Sequence, residues 1–537
     1  MRRLIWLAFA LTVALAAIRS ALFLAHSAIA FVDPLEAFYF EAVFVQYCWR
    51  VRVGEPIYLD YRNPPYVVNF FAPLYFLVVG GLGRLADAGP EALARIGRAV
   101  SIASDLAAAG VVGVAAGRRY GRGAGLVAGL IGLSSAPLMP FGPMVRPDLM
   151  ADALGIAGFL AAISPRAARR WLGGALLVLA TMTKQTAGIY LVSAVVGLVL
   201  GGRPRAGGAL AVGAAAAIGA IVGLGWLATG PWFAVSLLAN LAEPASPPYW
   251  RMVLEGIRDR APELLIFPAL GLVLWAFQRP REPALAALAV LVPAAAVITS
   301  RKVGSDLNYF LGARLVAALA AGAVWGWLAS GKRQWGERPP VLAVGAAVLV
   351  AALLVPGLRD AVRVLSGSVA EARFYASDRG RATLEAHRLL DELASDPNHP
   401  ILTDCGPILL HMGTNAPLID PWLFRDLCMR KRIRPFDISA MITQSDFDAI
   451  ISVGDLLDRD ALTHHLLLPP DLILETVETY RPAFAIAPGD ERYSLYVYLP
   501  RDPTRPAPPQ IEAARRLAPE TMPTGSGGSP PRSGGPG

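Results

Sequence analysis

The sequence predicts a polytopic α-helical membrane protein with a small α/β domain near its C-terminus. Three observations carry that reading. Apolar residues make up 55% of the 537 and charged residues only 17%, where soluble chains have about 25% charged residues. Apolar runs recur between Leu4 and residue 356, separated by short basic loops. Beyond residue 357 the pattern changes to short strand-like runs and amphipathic helical repeats. Three cysteines are too few to staple a chain this long, so a disulfide scaffold is excluded. The net charge of +8 is not a nucleic-acid signature, because the basic residues cluster between apolar runs as in cytoplasmic loops of membrane proteins.

The first run, Leu4 to about Ala25, follows Met1-Arg2-Arg3 and has no small-x-small cleavage site before polar sequence. It reads as a retained signal-anchor helix with a cytoplasmic N-terminus. Further runs lie near 67–83, 99–116, 124–141, 149–164, 171–183, 187–201, 209–228, 263–277, 284–299, 309–329 and 340–356. Arg118, Arg119 and Arg122 form one basic loop; Arg166, Arg169 and Arg170 the next. Arg203 with Arg205, Arg279 with Arg281, and Lys332, Arg333 with Arg338 follow. Two apolar runs separate each loop from its neighbour, so all five lie on one side, the cytoplasmic one by the positive-inside rule. A crossing at 67–83 would flip every loop, and that run is broken by Pro73, Gly80 and Gly81. It is therefore expected to be membrane-associated or re-entrant within a long first external loop, 27–97. Eleven crossings result, with everything after 357 outside the cytoplasm.

Residues 357–505 read as an extracytoplasmic α/β domain, with strands near Ile401–Asp404, Ala449–Val453 and Tyr493–Leu499 and a helix around Thr383–Leu393. Residues 506–537, rich in Pro, Gly and Ser, are expected to be a disordered tail. Cys405 and Cys428 fall in this domain and are able to pair if its compartment is oxidising. Only four of the 49 basic residues are lysine; with abundant Ala and Gly, that bias suggests a bacterial genome rich in G and C.

Charged groups gather at the expected outer membrane face. Asp33, Glu36 and Glu41 follow the first helix, the last two in an aromatic helical pattern that also fits a surface-lying amphipathic helix. Arg146-Pro-Asp148 opens a span, and Asp148 and Asp152 share one helix face at i, i+4. A helix N-terminal acid explains Asp148 adequately but not Asp152, which needs a polar cavity. Arg170 to Arg203 is about 50 Å of helix, less than the ~60 Å that two crossings need. The turn Thr183-Lys184-Gln185-Thr186 must then be recessed, unless Lys184 snorkels to the interface. Arg19, Asp105 and the loop Arg301-Lys302 to Asn308-Tyr309 reach the same side. No Walker loop, dinucleotide fingerprint, nucleophile elbow or zinc spacing competes.

In order, Phe40-Glu41 through Trp49-Arg50, Gly54-Glu55-Pro56-Ile57-Tyr58, Ala72-Pro73-Leu74-Tyr75, Arg146-Pro147-Asp148, Thr183-Lys184-Gln185 and Val303 to Asn308-Tyr309 resemble the GT-C integral-membrane glycosyltransferases. The branch is the one with protein mannosyltransferases, aminoarabinose transferases and lipopolysaccharide sugar transferases. The resemblance covers about residues 1–356. It implies a GT-C-like module that moves a sugar, with inversion, from a polyprenyl-phosphate-linked donor to an extracytoplasmic glycan, lipid or protein. The setting would be a bacterial cytoplasmic membrane, with the lipid bilayer and no nucleic acid as partner. It also implies a divalent cation, Mg or Mn, on Glu41 and Asp148. Catalytic acids would be Glu41, Asp148 and Glu36, the usual adjacent acid pair being reduced here to Glu41 with Glu36 and Asp33 as alternatives. Lys184, Arg19 and Arg146 would take the donor phosphate; Asp152, Gln185, Asn308 and Tyr309 would line the substrate. The competing reading is a transporter or flippase of a lipid-linked or small anionic solute.

Overall fold

The structure is a computed structural model of the whole chain. It describes residues 2–33, 35, 41–239, 244–277, 281–302, 305–329, 340–457, 468–487 and 494–517. Glu36, Arg279, the basic loop 332–338 and Val303 lie outside the described residues. The chain divides into two compact units, Met1–Pro56 with Phe70–Ala372, and Ile57–Asn69 with Arg373–Gly537.

The first unit is all helix. In order come α1 (Arg2–Phe31), α2 (Glu41–Val53), α3 (Leu74–Leu85), α4 (Pro90–Tyr120), α5 (Arg122–Gly132), α6 (Leu138–Phe141), α7 (Asp148–Ala162), α8 (Ala167–Thr183) and α9 (Gly188–Leu200). Then follow α10 (Pro204–Thr229), α11 (Trp232–Ala239), α12 (Pro247–Arg260), α13 (Glu263–Phe277), α14 (Pro283–Thr299), α15 (Leu311–Ala329), α16 (Pro340–Ala352) and α17 (Val355–Ala376). Among the described residues, four helices are long and apolar enough to cross a membrane, or five if the pair α12 and α13, bent by 76°, is one span. The other expected crossings fall on shorter helices. The run at 67–83 holds only α3, of 12 residues, about 18 Å of helix.

Helix α15 is the axis of this unit. It is buried along almost its whole length and packs against α4, α5 and α13. Its composition explains this, since Ala and Gly let neighbouring backbones come close. A Cβ on Gly322, for example, would lie 2.9 Å from the Ala124 carbonyl oxygen on α5. Two buried ion pairs tie the helices together where no water competes. Arg314 of α15 meets Asp105 of α4, with both side chains wholly buried. Arg19 of α1 meets Glu263 at the start of α13 at 2.9 Å, and its Nη1 donates to the Leu354 carbonyl.

The second unit is α/β. Its four-stranded sheet runs β1 (Ile401–Thr403), β2 (Ala449–Ser452), β4 (Leu495–Pro500), β3 (Tyr480–Ile486). The β1–β2 pair is parallel, with Leu402 opposite Ile450; the other two pairs are antiparallel. Strand β3 has no counterpart in the sequence reading, because Pro482 interrupts it. The structure puts it at the sheet edge with a register break after Pro482, where a strand tolerates proline. Helices α18 (Asp378–Ser395), α19 (Gly406–His411), α20 (Pro421–Met429) and α21 (Phe436–Thr443) belong to the same unit, and α18 packs on α19.

Two expectations are corrected here. The division falls after Ala372, because α17 runs unbroken through residue 357. Pro509–Leu517, expected in a disordered tail, is a helix that buries Ile511 and Ala514; residues 518–537 lie outside the described ones. A further feature is that residues 57–69 of the long first loop belong to this unit. Tyr66 donates its N–H to the Pro417 carbonyl at 3.0 Å, and its ring packs on Phe424 with centroids 4.9 Å apart.

Candidate functional site

The site is built where two helices begin and end inside the first unit. Asp148 opens α7 just after Pro147, and only 3% of it is exposed. Lys184 closes α8 with extended backbone, φ −151° and ψ 126°. Helices α8 and α9 have 17 and 13 residues, about 26 and 20 Å of helix against a bilayer core of about 30 Å. Both fall short of that thickness, and Lys184 in the turn between them is 12% exposed.

Three residues named from the sequence converge on Asp148 and Lys184. The Lys184 ammonium donates to Asp148 Oδ1, and Asn308 Nδ2 donates to the same oxygen at 3.0 Å. Arg146 Nε donates to Oδ2 at 3.3 Å, while its guanidinium lies 5.3 Å from the ring centres of both Phe44 and Phe141. The Tyr309 ring centre is 5.0 Å from Lys184 Nζ. Gln185 faces the other way, donating to the Phe70 carbonyl at 2.8 Å.

A small cavity opens beside this cluster. Asp148, Asp152, Lys184, Asn308 and Tyr309 form its polar side; Val292, Ala295 and Ala296 of α14 form an apolar wall. Asp152 lies one helical turn beyond Asp148 and accepts a hydrogen bond from the Tyr190 hydroxyl at 3.3 Å. Among the described residues no cation lies within ion-pair distance of it. Gly312 makes room for the pair, since a Cβ there would sit 2.8 Å from Asp152 Oδ1 and 2.9 Å from the Tyr190 hydroxyl oxygen. An ammonium and a carboxylate thus share one partly apolar pocket. Such a pocket suits an anionic group with a greasy tail and a hydroxyl that must lose a proton.

Among the expected site residues that are described, Glu41, Arg19, Arg146 and Gln185 do not line this cavity. Glu41 opens α2 at 1% exposure. Its Oε1 accepts from Arg98 Nε at 2.8 Å and from the Val145 N–H at 2.9 Å, and its Oε2 accepts from Arg98 Nη2 at 2.7 Å. The carboxylate expected to be a base is engaged in a brace that holds the strand of chain leading to Asp148. Arg19, expected to meet a phosphate, is paired with Glu263. Glu36 lies outside the described residues.

The acids assigned to a divalent cation do not fit one. Glu41 already faces Arg98, and Asp148 faces Lys184 and Arg146, so an ion would sit against three fixed positive charges. Among the described residues no group of three or more His, Cys, Asp or Glu could hold a metal.

Sequence reasoning missed Arg98, Tyr190 and Arg314. Arg314 was findable, being an arginine inside the apolar run 309–329, where an ionisable residue needs a partner. Tyr190 had no such signal.

No family model matches the sequence, and no curated protein matches it. Solved structures do. ArnT from Cupriavidus metallidurans bound to undecaprenyl phosphate is similar at 17% identity and TM-score 0.51, over 89% of this chain and 97% of that one. Its apo form gives 16% and 0.50 with the same coverage. An oligosaccharyltransferase of Archaeoglobus fulgidus, in the apo form, gives 14% and 0.51 over 93% of this chain and 75% of that one. The chain shares its fold with ArnT and with the archaeal oligosaccharyltransferase, and four of its described helices are long and apolar enough to cross a membrane.

Proposed function

We propose that the protein is an inverting membrane glycosyltransferase that takes its sugar from a polyprenyl-phosphate-linked donor. One observation carries the reading: Lys184 and Asp152 face a single recessed cavity with an apolar wall. The fold shared with ArnT, solved with undecaprenyl phosphate bound, supports the lipid class. The isoprenoid lies along α14, and the donor phosphate meets Lys184, with Arg146 adding positive charge from beyond Asp148. Asp148 holds Lys184 and Asn308 in place. Asp152 accepts the proton of the acceptor hydroxyl as its oxygen attacks the anomeric carbon. The bond from that carbon to the phosphate oxygen breaks, its electron pair leaves with the phosphate, and the ammonium stabilises the charge. One displacement inverts the anomeric centre. Arg146 and Lys184 supply the positive charge that a metal would otherwise bring. The site faces the outside of a bacterial cytoplasmic membrane, with the N-terminus in the cytoplasm. The acceptor is a glycan, lipid or protein of the cell envelope.

The test is to incubate the reconstituted protein with a panel of polyprenyl-phosphate sugars and follow both binding and donor consumption. Consumption of one donor with release of polyprenyl phosphate is expected. Folded protein that binds none of them overturns the reading.

A further inference from the structure

The turn between α20 and α21 carries a surface that the transferase reading does not use. Met429 ends α20 at 59% exposure and Phe436 opens α21 at 68%. Between them Lys431, Arg432 and Arg434 are all exposed. None of the three has a carboxylate within ion-pair distance among the described residues. The nearby acids are engaged elsewhere: Asp426 pairs with Arg430 at 2.7 Å, and Asp437 accepts from the Tyr66 hydroxyl at 3.4 Å.

The backbone at this turn adds an independent observation. Lys431 has φ +58°, and its N–H donates to the Cys428 carbonyl at 2.8 Å while that of Arg432 donates to the Leu427 carbonyl at 2.9 Å. This is a left-handed helix cap, a position that strongly favours glycine. The chain has 52 glycines and only four lysines, yet one of those lysines stands here. The turn keeps a cation at a conformational cost, between two large apolar side chains that water does not favour.

We infer that this turn docks onto the anionic headgroups of the membrane that anchors the chain, with Met429 and Phe436 entering the headgroup boundary. Paired exposed aromatic and thioether side chains inside a basic cluster have the composition of an interfacial anchor. The partner's charge follows from three exposed cations with no carboxylate at ion-pair distance among the described residues. Near an anionic leaflet, three such side chains favour the docked state by about a hundredfold over a neutral surface. Connectivity favours the bilayer over a soluble polyanion. Tyr66, which is bonded to Asp437 next to Phe436, is four residues from Phe70, where the chain rejoins the membrane unit. The inference does not rest on the transferase reading.

The test uses the full chain in nanodiscs of phosphatidylcholine alone and of phosphatidylcholine with phosphatidylglycerol, with amide hydrogen exchange followed across 429–436. Exchange there should slow by at least about tenfold in the anionic discs, with β1 and β2 as internal controls that do not change. The variant Lys431→Glu/Arg432→Glu/Arg434→Glu should lose the difference while keeping wild-type exchange in the sheet, and Phe436→Ser should lose part of it. High salt should erase the slowing, since it screens the headgroups. Equal exchange in the two discs overturns the inference. So does slowing that appears only when a soluble acidic polysaccharide is added, which would make the turn a glycan-binding surface.

Discussion

Two buried ion pairs in the membrane unit, Glu41 with Arg98 and Asp148 with Lys184, differ in what they leave over. Arg98 has five N–H donors, and all are used: two go to Glu41, and the others to the carbonyls of Ala30, Asp33 and Leu35. The guanidinium fork and the carboxylate are mutually saturated, so the pair closes the start of the first long loop like a clasp. Lys184 instead rests on Asp148 and on the Tyr309 ring while bordering a cavity. One turn along the same helix, Asp152 borders that cavity with no cation at ion-pair distance among the described residues. The difference separates architecture from chemistry. A buried charge whose every valence is satisfied braces the fold, and a buried charge with spare valence beside a void can act on a substrate.

Variants of each centre sharpen this contrast. The largest effect on turnover is expected from Asp152→Asn, which keeps the shape and removes the proton acceptor. Donor consumption should fall by about 10²–10⁴-fold with donor binding retained, whereas normal turnover would return the base to another acid. Glu41→Gln should act on stability instead, leaving Arg98 buried opposite a neutral amide at a cost of about 3–5 kcal/mol. A lowered melting temperature with near-normal turnover per folded molecule is expected. Loss of turnover at unchanged stability would make Glu41 catalytic after all.

Lys184→Met should weaken donor binding by about 1.5–3 kcal/mol, roughly tenfold to a hundredfold or slightly more. Lys184→Arg should recover part of that loss, because the charge returns with a different geometry. Equal donor affinity in all three proteins would remove Lys184 from the site. Chelation should leave turnover unchanged, because the two acids assigned to an ion, Glu41 and Asp148, are already held by fixed cations. Loss of activity in EDTA that Mg or Mn restores would break that expectation.

Asp420 in the α/β unit extends the comparison to a buried carboxylate held by amides alone. It caps α20, accepting from the Leu423 N–H at 2.9 Å, and burial pushes its pKa up to about 7. With more protons bound folded than unfolded between pH 4 and 7, the stability of this unit should fall as pH rises through that window and level off above it. Asp420→Asn keeps a capping oxygen and should flatten that slope in pH-dependent melts. An unchanged slope would assign it to other groups.

Much of the site was legible because its residues are expensive where they stand. Lys184 stood out through the length of its hairpin, and Asp152 through the cost of a carboxylate on an apolar helix. Asn308 and Tyr309 came from a loop pattern. What stayed hidden was pairing across distant helices. Nothing local distinguishes Glu41, whose partner is 57 residues away, from an acid that faces solvent or substrate. The same holds for Arg19, which looked like a phosphate ligand until Glu263 appeared 244 residues later. Strand β3 was lost to Pro482, because an edge strand tolerates what a central strand cannot.

The incorporation of residues 57–69 into the C-terminal unit has a consequence for how the chain is made. Tyr66 leaves the ribosome more than 350 residues before its partners Pro417, Ile419 and Phe424. Throughout that interval this segment of the first loop must wait with its apolar tyrosines and valines uncovered, while helix after helix enters the bilayer. Assembly cannot finish in the order of synthesis. A messenger truncated after α17 would encode the whole helical unit and still yield a protein with an unfinished N-terminal loop, a natural target for quality-control proteolysis.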